Sequence, residues 1–412
     1  MTLRLHRAAW ILPIVSPPVR DGALVLDEGG RMAALGPSDE VRGKYSHLPP
    51  VEHGGSVLFP GLVNAHTHLE FSHLLGVAPR AGEGQGGLAA WLGRFQEKRV
   101  LSSEDDAKAA LPGALAQLRD SGVAFVGDVS NALLSVEPLR EAGLEGVVFY
   151  EIHERLDARD AEAVFKGAAA RVENLDSPNG LRVVLSPHAP YTVSKRLFEL
   201  LRGWSEERGA PLSVHLAEGE DENLLYESGS GELRAWFERL GVWPWPPGFS
   251  PTEKTTTATL DAWGLVHDRT LAVHGVALRR ADVEILAKRG AALCLCPRSN
   301  LYVGGKLPPV EVFLKAGLPM ALGTDSLASN DDLSLFMEMR LLGERFPSIP
   351  HREILKMATL NGARALGISE ERVSFAEGNR PAVMKIDCRT PVQDAEAHLV
   401  LRGHEHTAER VA

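Results

Sequence analysis

Between residues 57 and 323 the chain repeats one unit eight times, an apolar run followed by a longer stretch with helical spacing. The runs are 57–63, 123–129, 146–152, 181–186, 212–216, 270–274, 291–296 and 319–323. Runs that are apolar throughout, rather than at every second residue, mark strands buried on both faces, and parallel strands need a helix-length crossover between them. Helices are expected over 105–118, 160–174, 194–208, 281–289 and 331–342. Eight strand–helix units over about 270 residues match a (β/α)8 barrel of the TIM type, with a doubly wound sheet as the lesser alternative.

The two ends of the chain read differently. Short apolar runs at 23–26 and 32–35 are separated by turn signals such as Asp21-Gly22 and Glu28-Gly29-Gly30, which predict a small antiparallel sheet. After Leu366 strand-like pieces return at 382–386 and 398–401. The expected organisation is therefore α/β, with a barrel over 57–374 and a small composite β-sandwich domain built from both termini, 1–56 plus 375–412. The segment 70–90 carries Gly82, Gly84, Gly86 and Gly87 but no Gly-Lys-Ser/Thr ending, so it reads as a mobile rim loop and not a phosphate cradle. The Trp-Pro-Trp-Pro-Pro segment within 243–257 reads equally as a stiff lid over the barrel mouth and as a surface insertion or oligomer contact.

Composition narrows the partners. A formal net charge of −10, with no Lys/Arg run longer than two, leaves no electrostatic footprint for nucleic acid or an anionic membrane. No stretch reaches the 18 or so apolar residues needed to span a bilayer. A small-molecule substrate is the default, and a homodimer stays open. The three cysteines, Cys294, Cys296 and Cys388, cannot form a disulfide framework for so long a chain, which suits a reducing cytoplasm. Arg4 and Arg7 before the run 8–15 imitate a signal peptide, but Pro13 interrupts the run and the segment is better read as a strand.

The sharpest local signal is Asn64-Ala65-His66-Thr67-His68 at the end of the first run. Residues two apart on a strand project to the same side, so both imidazoles can chelate one cation. Lone His-x-His pairs arise by chance, as His404 and His406 illustrate. What distinguishes the first pair is its place at the carboxyl end of a strand, where barrel active sites lie. Other strand ends carry His215, His274 and Asp325, so four of eight offer ligands for a borderline metal. Singly each would be a hydrogen-bonded core residue; as a set they predict about one divalent ion per chain. Three histidines and a carboxylate leave room for water, whose pKa a bound divalent ion lowers to about 7. Glu218, three residues beyond His215, can take the water proton and pass it to a substrate nitrogen. The competing reading is a helix N-terminal acid among Glu220, Asp221 and Glu222, favoured by the helix dipole. His68-Leu69-Glu70 also matches the His-x-Glu of a smaller zinc deaminase fold, but Cys294-Leu295-Cys296-Pro297 does not supply its Pro-Cys-x-x-Cys partner. The two cysteines read as buried strand residues.

Six ordered motifs, PGLVNAHTHLE (60–70), SPHAPYT (186–192), VHLAE (214–218), HG (274–275), CPRSN (296–300) and LGTDSLASNDD (322–332), resemble those of amidohydrolase-superfamily aminohydrolases over nearly the whole length. That group contains cytosine, guanine and S-adenosylhomocysteine deaminases. The resemblance implies that His66, His68, His215 and Asp325 hold one Zn or Fe ion. It implies that His274 hydrogen-bonds the attacking water or the tetrahedral centre, and leaves open whether it also touches the metal. It further implies that Asp325 takes a proton from the water, that Glu218 shuttles protons to the ring, and that His188, with Arg155 and Arg298, contacts the substrate.

Within the group, HTHLE with GTDSLASNDDLS is most similar to 6-aminodeoxyfutalosine deaminases of menaquinone biosynthesis. S-Adenosylhomocysteine and methylthioadenosine deaminases usually carry an acid before Trp-Leu in the first helix; here Ala90 precedes Trp91-Leu92, Trp91 stays a candidate substrate contact, and Glu70 becomes a candidate for the ribose contact. Gly378-Asn379-Arg380-Pro381-Ala382-Val383 replaces the usual Gly-Lys-x-Ala-Asp near the C-terminus, which touches the small domain and not the chemistry. The expected reaction is hydrolytic removal of an exocyclic amino group from an aminopurine nucleoside, 6-aminodeoxyfutalosine giving futalosine and ammonia. Adenosine-type, guanine or cytosine deamination are alternatives, as is hydrolysis of an amide, cyclic amide or carbon–halogen bond. A scaffold on a dead barrel would need missing ligands, and none is missing.

Overall fold

The computed structural model describes residues 2–82, 87–154, 160–173, 175, 180–244 and 249–411. They form two compact units, one of Met1–Asn64, Ala116–Phe125 and Ser334–Ala412, the other of Ala65–Leu115 and Val126–Leu333.

The first unit holds a seven-stranded sheet made from both ends of the chain. Its strands are β1 (Leu3–Ile11), β2 (Val19–Asp27), β3 (Met32–Pro37), β4 (Pro50–Glu52) and β5 (Val57–Pro60). Two more come after the barrel strands named below, β14 (Val383–Ile386) and β15 (Glu409–Arg410). The order is β15-β14-β5-β1-β2-β3, with β4 beside β1. Alternate residues of β2 enter different clusters: Leu24 and Leu26 pack with Ile11, Leu58 and Val383, whereas Ala23 and Val25 pack with Leu5 and Val41. Period-two burial on both faces is why β2 is apolar without a break from Ala23 to Leu26.

Eight parallel strands make the barrel, in two four-stranded sheets. The first contains β6 (Leu62–Thr67), β7 (Val123–Ser130), β8 (Glu145–Ile152) and β9 (Leu181–Pro187). The second contains β10 (Leu212–Leu216), β11 (Thr270–His274), β12 (Ala292–Leu295) and β13 (Met320–Leu322). At one seam the His215 amide donates to the carbonyl of His188 at 2.9 Å. At the other, the amides of Thr324 and Asp325 donate to the carbonyl of His66 at 3.0 and 3.1 Å. With both seams bonded this is the (β/α)8 barrel expected from the eight runs. Gly323 is obligatory at the second seam, since a Cβ there would lie 2.6 Å from the His66 carbonyl oxygen.

Three local expectations are corrected. The run 57–63 is two strands in two sheets, β5 and β6, divided at Gly61. There the amide turns to the Ala382 carbonyl at 2.8 Å, and a Cβ would meet that of Ala124 at 2.5 Å. Residues 398–401 are not a strand but lie inside the helix Ala395–Arg402, started by the Asp394 side chain accepting the Ala397 N–H. That helix wins because Ala, Glu and Leu are strong helix formers behind a good cap. The last barrel-region helix runs Leu335–Arg345, so Asp331 and Asp332 precede it in a loop. Of the segment 243–257, residues 245–248 lie outside the described residues; Trp243 and Phe249 pack against the cluster containing Leu233 and Phe237. No described helix is long and apolar enough to cross a membrane.

Candidate active site

The carboxyl ends of the strands in the second unit bring the expected ligands together. Nε2 of His68 lies 3.1 Å from Nε2 of His66 and 3.3 Å from Nε2 of His215. Oδ1 of Asp325 stands 3.6 Å from Nε2 of His68 and 3.9 Å from that of His66. Burial lowers the pKa of both His66 and His68, the latter to about 4, so their nitrogens carry lone pairs at neutral pH. The tautomer of His215 is set by the donation of Nδ1–H to the His188 carbonyl at 3.0 Å, which leaves the lone pair on Nε2. Asp325 is oriented on three sides: Oδ2 accepts from the hydroxyls of Ser299 and Ser329 at 2.6 and 2.9 Å, and Oδ1 from the Ser326 amide at 2.8 Å. Three imidazole nitrogens and a carboxylate meet with more lone pairs than protons, which is the donor set of a borderline divalent cation.

His274 faces the same point, its Nε2 side open and its Nδ1 donating to Oδ1 of Asn300 at 2.9 Å. Glu218 sits across from it, Oε1 to Nε2 3.8 Å. Burial pushes the Glu218 carboxyl up to about 7, poised to be either acid or base near neutrality. Glu222 fixes the backbone beneath it by accepting the amides of Ala217 and Glu218 at 3.0 and 3.2 Å. Ala217, His274 and Asp325 all have positive φ, at 52°, 78° and 57°. Such conformations cost non-glycine residues about 1–3 kcal/mol each and concentrate where side chains must be aimed.

The remaining expected contacts divide. Trp91 and His188 line the cavity above these residues, Trp91 stacked on Phe95 with ring centres 5.0 Å apart. Glu70 does not line it. Its carboxylate is consumed by the turn after β7, accepting the amides of Asn131, Ala132 and Leu134 at 2.8, 3.0 and 2.8 Å and the Ser130 hydroxyl. Arg298 is likewise turned away, paired in bidentate fashion with Asp332 at 2.6 and 2.9 Å. Arg155 lies outside the described residues.

Sequence reasoning passed over Arg99, Asn131, Glu151 and His153, which do line the cavity. Glu151 could have been found as a charged residue inside an apolar strand; it accepts from Asn131 Nδ2 at 2.9 Å and bonds His153 at 3.1 Å. Nothing local marked Arg99. Its guanidinium lies 4.9 Å over the Phe71 ring and donates to Oδ1 of Asn131 at 2.9 Å, with no carboxylate partner among the described residues. One helix, Leu88–Leu101, supplies Trp91, Leu92, Phe95 and Arg99 to a single wall. The cavity it closes leaves room of about 60 Å³.

The model of the amidohydrolase family matches residues 57–394. An aminodeoxyfutalosine deaminase of Deinococcus radiodurans is 32% identical over 360 residues, covering 82% of this chain and 80% of that protein. A 5-methylthioadenosine/S-adenosylhomocysteine deaminase of Nitratidesulfovibrio vulgaris is 29% identical over 94% of this chain and 85% of its own length. Among solved structures, that of Helicobacter pylori aminofutalosine deaminase in complex with methylthio-coformycin superposes with a TM-score of 0.86 at 24% identity, covering 99% of this chain and all of that one.

Proposed function

The chain belongs to the amidohydrolase family, and within it we propose a hydrolytic purine-nucleoside deaminase that converts 6-aminodeoxyfutalosine to futalosine and ammonia, a step of menaquinone biosynthesis. The observation that carries the reading is the buried Glu218 carboxyl standing beside the convergence of His66, His68, His215 and Asp325. Those four residues would hold one divalent ion, and zinc suits their nitrogen-rich set. Such an ion supplies a nucleophilic water at neutral pH.

The chain's own groups account for the rest. Asp325, anchored by Ser299, Ser326 and Ser329, accepts a proton from the attacking water. Glu218 holds a proton at Oε1 for the ring nitrogen next to the carbon under attack, which makes that carbon electrophilic. His274, fixed by Asn300, presents Nε2 to the oxygen entering at that carbon. A carbon–oxygen bond forms, the exocyclic carbon–nitrogen bond breaks, the amino group leaves as ammonia with the proton that Asp325 took from the water, and the hydroxyl proton of the tetrahedral centre returns Glu218 to its acid form. An acyclic amide has no ring nitrogen beside the carbon under attack and would leave the Glu218 placement unused.

Arg99 supports the substrate within this class. It is the guanidinium lining the cavity among the described residues, and a benzoate carboxylate is its natural partner. The test is a spectrophotometric panel of 6-aminodeoxyfutalosine, adenosine, S-adenosylhomocysteine, methylthioadenosine, guanine and cytosine with metal-replete enzyme. Highest kcat/KM on 6-aminodeoxyfutalosine is expected. A preference for S-adenosylhomocysteine or a free base would overturn the substrate and leave the deaminase, and no deamination of any would overturn both.

A further inference from the structure

Far along the chain from the barrel ligands, the described residues gather a second set of soft donors in the first unit. Cys388 follows β14, His398 lies on the helix Ala395–Arg402, and His406 follows the turn Gly403–Glu405. Sγ of Cys388 is 3.4 Å from Nε2 of His398, which is 3.1 Å from Nε2 of His406. All three donor atoms lie within 4.8 Å of one another. The backbone between them is held at both ends. β14 pairs with β15 through Met384 with Arg410 and Lys385 with Glu409, and the Asp394 cap starts the intervening helix.

Nε2 of His398 faces both a thiol and a second imidazole nitrogen, and the thiol has a further, weak partner in the Ile386 carbonyl at 4.0 Å. A tetrahedral zinc ion with ordinary bond lengths sets its ligands roughly 3.3 Å apart for two nitrogens and roughly 3.6 Å for nitrogen and sulfur. The two spacings that involve His398, 3.4 and 3.1 Å, fall within a few tenths of an ångström of those edges, and the third lies within 4.8 Å.

We propose that Cys388, His398 and His406 form a second site for a zinc-class divalent ion, clipping the C-terminal helix to the sheet. Binding exchanges the thiol proton of Cys388 for the cation, the proton going to solvent, with water completing the coordination. The site is independent of the deaminase reading, because none of its residues touches the barrel centre.

The experiment is equilibrium dialysis of the full-length enzyme against micromolar free zinc, with metal measured per chain. Two equivalents are expected for the unaltered protein and one each for Cys388→Ser and His398→Ala, with deamination unchanged in both. The His66→Ala/His68→Ala double variant should also hold one, at the second site. Cobalt in place of zinc should give a near-ultraviolet thiolate-to-metal band that is absent from Cys388→Ser. One equivalent in the unaltered protein, or two in Cys388→Ser with the band retained, would overturn the assignment.

Discussion

Oε1 of Glu218 lies 3.8 Å from Nε2 of His274, beyond hydrogen-bond length but close enough for one substrate-bound atom between them to touch both. The far side of each group is fixed, His274 by Asn300 and the Glu218 backbone by Glu222. The gap is therefore part of the design of the site and not slack in it. Glu218→Gln keeps the size and loses the exchangeable proton. Turnover should fall by at least ~100-fold with metal content unchanged, since general acid–base catalysis contributes about that much or more. Elemental analysis beside steady-state rates checks it, and normal turnover would assign the proton to another group.

Arg99 offers a charge where the substrate's side group would lie. Arg99→Gln should raise KM for 6-aminodeoxyfutalosine by about 10- to 100-fold, as expected for losing a charged hydrogen bond of about 1.5–3 kcal/mol. Methylthioadenosine, which has no carboxylate, should change by less than about threefold. Equal losses on both substrates would mean that Arg99 acts through Phe71 and Asn131 and not through the ligand.

Glu70 predicts a loss of stability with the chemistry intact at first order. A glutamine there has one accepting oxygen, so at least one of the three loop amides it now serves loses its partner inside the protein. Glu70→Gln should cost about 1–3 kcal/mol and lower Tm by several degrees. Thermal unfolding measures it. An unchanged Tm would show that the loop amides find other acceptors.

His6 should make the first unit acid-sensitive. It is buried with 5% of its surface exposed, Nδ1 lies 3.0 Å from Nε2 of His53, and burial, with His53 and Arg4, lowers its pKa to about 4. Folding thus favours the neutral ring. The contribution is complete above its ordinary value near 6.5 and is lost as pH falls through about 4, with a ceiling of about 3 kcal/mol. In denaturant titrations at pH 7.5 and pH 4.5, His6→Gln should lose less stability between the two than the unaltered protein. An equal loss would place the acid sensitivity elsewhere.

The barrel and its strands were legible because burial on both faces writes an uninterrupted apolar run, and the convergence of His66, His68, His215 and Asp325 because all four stand at or just past strand ends. Glu218 was legible for the same reason, by its distance from a strand-end histidine. Charge alone could not say where a side chain spends its hydrogen bonds. Glu70 and Arg298 looked like substrate contacts, yet one is consumed by backbone amides brought from the next strand and the other by Asp332. Arg99 carried no local mark because its role depends on which wall of the cavity its helix forms. His406 looked like half of a chance pair until the turn after the last helix set it beside His398 and Cys388. Periodicity and spacing act along the chain and are written in it; convergence of distant polar groups depends on the path of the backbone through space, and tertiary packing decided that.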